Sequence, residues 1–187
     1  MKVVSFRGRV GVAIFLLTLA CGSLLSLPAA ASPFGQGVFG ANVPFGSMTS
    51  ISINLGGDVA LTLAPSGGNF SGSNSHTVTV TSTDVVGYYL YAHTTSNTNM
   101  TSGGATIPAS NNSSASPLSV GTWGYNTSGS TTNFLGMNAS SVLLKDATGP
   151  FKSGDPTTIT YGALVSNTQA AGSYSVAMTY TTVAKNQ

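Results

Sequence analysis

Downstream of residue 48, apolar side chains recur at every second position in short runs bounded by Gly, Pro, Asn, Asp and Ser, the period of half-buried strands. Ile51, Ile53 and Leu55 share one face, and Val59, Leu61 and Leu63 follow across Gly56-Gly57-Asp58, which predicts a hairpin. After a loop over 65–74, HTVTVTST turns Val78 and Val80 inward and its threonines outward. VVGYYLYAHT then continues as a strand after Asp84, with Thr and Tyr suited to a pleated surface. Further strands are expected at Trp123, over 134–137 and around 142–144. A turn, KDATGPFKSGDP, leads from there into the strand TTITYGALV. The final run, GSYSVAMTYTTVA, places Tyr174, Val176, Met178 and Tyr180 on one side. No apolar stripe at helical spacing with caps interrupts this series. The pattern predicts an all-β fold over 48–187, a single antiparallel β-sandwich of the immunoglobulin-like or pilin-like kind with about eight or nine strands.

Two segments break the alternation. Residues 32–47 (SPFGQGVFGANVPFGS) read as an extended arm whose Phe34, Phe39 and Phe45 need cover. Residues 95–119 are dominated by Ser, Thr, Asn and Gly around a small apolar island at 105–108, which reads as a long exposed loop and a contact surface. Sheet edges with few charges to blunt them either hide under loops or pair with neighbours. The arm is therefore also a candidate for adding a strand to another copy's edge in self-assembly.

The N-terminus changes where such a domain would work. Lys2, Arg7 and Arg9 precede an apolar run and the small residues Ala29-Ala30-Ala31-Ser32, the layout of a signal peptide over 1–31. Cys21, between Ala20 and Gly22, leaves lipoprotein cleavage before Cys21 as the alternative. Cys21, Gly22, Ser23, Ser26 and Pro28 break the apolar run, so no stable membrane span is expected after cleavage. The six cations of the whole chain fall to Lys145, Lys152 and Lys185 once the leader is gone. Against Asp58, Asp84, Asp146 and Asp155 they leave a net charge of minus one. That balance excludes a phosphate-neutralising patch, hence nucleic acid as a partner. The one cysteine leaves with the leader as well, so neither disulfides nor thiolate metal sites are available to the exported part.

Catalytic chemistry finds little to stand on. Neither GxSxG nor SxxK occurs, and His76 and His93 sit in threonine-rich strand contexts. The four aspartates lie in separate turn-like settings rather than as a facing pair. No metal-ligand spacing is present, and no cofactor is expected. What remains is aromatic: Trp123, Tyr125, Tyr88, Tyr89 and Tyr91. Exposed, they would make a glycan-stacking surface. Buried, Trp123 would be a core residue with its indole N–H bonded to a carbonyl. The second reading is the expected one for Trp123, and Gly87-Tyr88 and Gly124-Tyr125 suggest close backbone approach beside the rings.

Three stretches together resemble a known pattern: STDVVGYYLYA at 82–92, TWGYN at 122–126, and TTITYGALVSNTQAAGSYSVAMTYTTVAKN from 157. They are similar to small secreted β-sandwich surface proteins of ultrasmall, host-dependent bacteria. There a T-N-x-x-G-Y strand is followed by a W-G-Y strand and a closing A-G-T-Y-x-x-x-V-x-Y-T-x-x-A-N strand. More loosely, the last strand is similar to that of Gram-positive wall-associated and pilin-like sandwich domains. This chain departs in carrying Asp84 and Val85 where asparagines are usual. The resemblance implies a secreted or cell-surface structural or adhesive module, not an enzyme, whose partners are other surface proteins, a host-cell surface or glycans. No LPxTG-type sorting signal follows Ala184, so attachment is expected to be non-covalent or by assembly with other subunits.

Overall fold

The computed structural model describes residues 49–185; the leader 1–31 and the arm 32–47 with Phe34, Phe39 and Phe45 lie outside the described residues. The described chain is all-β. Twelve strands follow in order: β1 (Ser50–Leu55), β2 (Ala64–Ser66), β3 (Asn69–Thr83), β4 (Gly87–Thr94), β5 (Met100–Ser102), β6 (Ala105–Ile107), β7 (Ser116–Pro117), β8 (Thr122–Asn126), β9 (Asn133–Phe134), β10 (Val142–Thr148), β11 (Asp155–Ser166) and β12 (Met178–Lys185). The larger sheet has the order β1-β3-β11-β8, with β2 beside the start of β3, and the smaller has the order β10-β4-β12. Two short ribbons, β5-β6 and β7-β9, complete the set, and every ladder is antiparallel.

The period-two pattern explains where the core lies. Val78 and Val80 of β3, Ile159, Tyr161 and Val165 of β11, and Trp123 of β8 all turn the same way. They meet Tyr88, Leu90 and Ala92 of β4 in one buried cluster. Each such aliphatic side chain contributes about 1.5–3 kcal/mol by leaving water, offset by the entropy of ordering the chain. The outer side of the larger sheet is covered in one place, where the ring of Phe134 lies over the cross-strand pair Gly124 and Gly162. Both positions lack a Cβ because the ring and the backbone of Leu135 occupy that space.

Five expectations from the pattern are corrected. The loop over 65–74 is mostly strand, because β2 pairs with the start of β3 and residues 69–74 of β3 pair with β11. The hairpin over 51–63 does not form. Instead β1 pairs with the distant β3, Ile53 opposite Val80 and Leu55 opposite Val78. The long strand β3 offers Ile51 and Ile53 a bonded neighbour and core cover together, while Val59 and Leu61 enter the core from a segment without ladder bonds. Segment 95–119 is not one exposed loop. Met100 and Ile107 are buried opposite each other in the β5-β6 ribbon, and its turn residues Gly103 and Gly104 take φ of 53° and 92°, a turn that only glycine enters without strain. Finally, the predicted turn KDATGPFKSGDP begins inside β10, which runs on to Thr148, and the strands number twelve because five of them are only two or three residues long.

Candidate functional site: an aromatic sheet face

The tyrosine cluster of β4 is divided by the strand itself. Tyr88, Leu90, Ala92 and Thr94 point into the core and are buried, whereas Tyr89, Tyr91 and His93 point outward and are half-exposed. Register then builds three rungs across the smaller sheet. Tyr89 stands between Asp146 and Val183, Tyr91 between Leu143 and Thr181, and His93 faces Thr179, with the Ser141 hydroxyl 3.4 Å from its Nδ1. The two tyrosine rings lie 6.1 Å apart at 42°. Lys185 closes one end: its ammonium sits 4.4 Å from the centre of the Tyr89 ring and pairs with Asp146 across β4. Leu143 and Val183 remain 50% and 47% exposed, so apolar surface continues on both sides of the rings. A flat face of aromatic, aliphatic and threonine side chains can stack, desolvate and offer hydroxyls.

The other candidate aromatics are interior. Trp123 has no solvent exposure, and its Nε1–H donates to the Thr98 carbonyl at 2.9 Å, while its ring meets Tyr161 at 6.3 Å. Tyr125 is buried opposite Tyr161, and burial raises its phenol pKa. Tyr88 donates to Asp155 Oδ2 at 2.7 Å, while Lys145 Nζ donates to Asp155 Oδ1 at 2.7 Å. Burial first, and the Asp155 carboxylate second, push the Tyr88 phenol well up. This triad ties β4 and β10 of the smaller sheet to the start of β11 in the larger one.

A second polar chain crosses between the sheets. The Tyr161 and Tyr180 hydroxyls bond each other, the Tyr180 hydroxyl lies 2.8 Å from His76 Nε2, and His76 Nδ1 lies 3.0 Å from the Gly57 carbonyl. A carbonyl only accepts, so Nδ1 carries the proton and Nε2 accepts from Tyr180. Burial pushes Tyr180 up to about 12 and also raises the Tyr161 phenol well above its ordinary value. Burial also holds His76 below its ordinary 6.5, against the smaller opposing pull of the Gly57 carbonyl and Asp58. The unfolded chain therefore takes up this proton first as pH falls. Stability from neutral His76 is complete above about pH 6.5 and declines below it. Thermal unfolding from about pH 7 down to about pH 5 should show a falling Tm, and His76→Gln should flatten that slope. An unchanged slope in the variant would contradict the assignment.

Segment 95–119 contributes Thr98, Ser110, Asn111 and Asn112 to a polar cleft of about 310 Å³ that Met137 and Asn138 complete. Asn112 is committed to the fold there, its amide donating to the carbonyls of Ser116, Pro117 and Phe134. Among the described residues no three His, Cys, Asp or Glu side chains gather as a metal-holding group. Sequence reasoning singled out Tyr89 and Tyr91 but missed Leu143, Val183 and Thr181, which only the strand pairing brings beside them, and His93, which shares their face by the alternation of β4 itself. Compared with protein-family models, curated proteins and solved structures, the chain has no significant match in any of the three.

Proposed function

We propose that this chain is an exported β-sandwich that works at the cell surface as a structural or adhesive module, of the kind its sequence resembles, and not as an enzyme. The sandwich reading is supported by the two antiparallel sheets whose inward rows share one apolar cluster. The observation that carries the functional reading is the outward row of Tyr89 and Tyr91 flanked by exposed Leu143 and Val183. Aromatic anchors ringed by hydroxyls and with few charges are the composition of contact surfaces. The protein partner is a surface protein on the same or another cell.

The test is binding of the exported protein to intact producer and host cells, compared with Tyr89→Ala/Tyr91→Ala. Loss of two aromatic anchors should weaken binding by at least about tenfold, since truncating one such anchor costs on the order of 1–2 kcal/mol. Binding equal to the unmodified protein would contradict the assignment. A second reading, a carbohydrate-binding module, is favoured by the paired rings beside the Thr179 and Thr181 hydroxyls. Competition by soluble oligosaccharides, with the same tyrosine dependence, would select it over a protein contact.

A further inference from the structure

The polar cleft between segment 95–119 and the turn after β9 has fixed walls and uncommitted side chains. The Thr98 carbonyl accepts from Trp123 Nε1 at 2.9 Å, and the Ser110 N–H donates to the Trp123 carbonyl at 2.7 Å. The Gly136 N–H donates to the Asn112 carbonyl at 2.9 Å, and the Thr94 N–H donates to the Asn138 carbonyl at 3.2 Å. A Cβ at Gly136 would collide with the Ser110 carbonyl, so only glycine lets those two segments come into contact. The walls are thereby bonded to β4, to β8 or to each other, and the cavity of about 310 Å³ is pre-formed.

Asparagines in loops ordinarily bond nearby backbone. Asn97 accepts from the Asn99 N–H, Asn112 donates to the Ser116 carbonyl and Asn126 donates to the Ser130 carbonyl. Asn111 and Asn138 line the cleft, are exposed, and make no side-chain hydrogen bond among the described residues. Met137, which is buried, and Ala109 add hydrocarbon to the lining. No lining residue is charged, and no Asp, Glu, Lys or Arg occurs from 94 to 144. A charged ligand would lose water there without gaining a counter-charge. Amides that donate and accept at once, set beside a strip of hydrocarbon, complement a sugar ring, which carries hydroxyls at its rim and C–H groups on its face. A cavity of this volume is at the small end of ligand pockets, suited to one ring rather than a long chain. We infer that the cleft is a binding site for a single uncharged sugar residue, its hydroxyls bonded by Asn111 and Asn138 and its C–H face against Met137. The site lies at the Thr94 end of β4, apart from the outward row of Tyr89 and Tyr91, and does not depend on the contact role proposed for that row.

Met137 lines the cleft, so ¹³C-methyl labelling of methionine in the exported protein beginning at Ser32 places a reporter inside it. Glucose, galactose, mannose and N-acetylglucosamine are titrated in turn. At least one should move the Met137 signal saturably, and further than those of Met100 and Met178, with a Kd on the order of 1–10 mM for so small a ligand. Glucose 6-phosphate and N-acetylneuraminic acid should leave the signal in place. Asn111→Ala/Asn138→Ala should raise the Kd at least about tenfold. Its Tm should stay that of the unmodified protein, because neither side chain bonds the fold. Tyr89→Ala/Tyr91→Ala should titrate as the unmodified protein does. No saturable shift with any of the four sugars, equal affinity for the charged ones, or an unchanged Kd in the asparagine variant would overturn the inference. Loss of the shift in the tyrosine variant would overturn it too, by moving the sugar to the aromatic face. Cell binding is read with the tyrosine variant and sugar binding with the asparagine variant, so the failure of one reading is distinct from the failure of the other.

Discussion

Replacing Trp123 with alanine is expected to lower the unfolding free energy by about 3–5 kcal/mol, the range for deleting a large, fully buried aromatic. That is a large share of the ~5–15 kcal/mol that keeps a domain of this size folded. Trp123 has no exposed surface, is opposite Ala163 of β11 in the ladder, and on the other side of its strand exchanges backbone hydrogen bonds with Pro108 and Ser110. Its removal opens a void and also leaves the Thr98 carbonyl without its donor. Trp123→Phe separates the two effects: it keeps most of the ring volume and should cost about 1–3 kcal/mol, including the penalty for the unpaired carbonyl. Urea unfolding of both variants measures this. A loss below about 1 kcal/mol for the alanine variant would place the ring at the surface.

Gly162→Ala is expected to be the second large loss. A methyl there would come within 2.7 Å of the Phe134 ring, and the ring cannot slide toward Gly124, whose own added methyl would meet the Leu135 carbonyl at 2.5 Å. Forcing the ring out costs about 1–3 kcal/mol, as overpacking does elsewhere. Phe134→Ala alone should cost about 3–5 kcal/mol. The double variant decides whether the slot is the cause: Gly162→Ala should add almost nothing once Phe134 is gone, a strongly non-additive cycle. Additive losses would show that the glycine serves some other purpose.

Much of this architecture was legible in the residues. Alternation located β1, the second half of β3, β4, β8, β11 and β12, placed Val78 and Val80 inward, and anticipated Trp123 as a core residue bonded through its indole N–H to a carbonyl. Beside the rings, Gly87 and Gly124 do sit where backbone crowds the missing Cβ. Pairing was not legible, because alternation fixes which face a residue takes but not which strand lies beside it. Ile51 to Leu55 thus suggested a local hairpin, although their partners are 23 to 31 residues away in β3. The same limit hid the aromatic face: Tyr89 and Tyr91 were visible, whereas Leu143 and Val183 join them only through the β10-β4-β12 register. Met100 and Ile107 were lost in a run of Ser, Thr, Asn and Gly because a single buried residue in a three-residue strand shows no period.

The central claim is that inward rows from both sheets enclose Trp123. Because it is the chain's single tryptophan, its fluorescence reports that enclosure without ambiguity. Trp123 in the native protein should emit in the blue, be barely quenched by acrylamide, and shift red only on unfolding. Native emission already red and quenched as freely as tryptophan in water would contradict it.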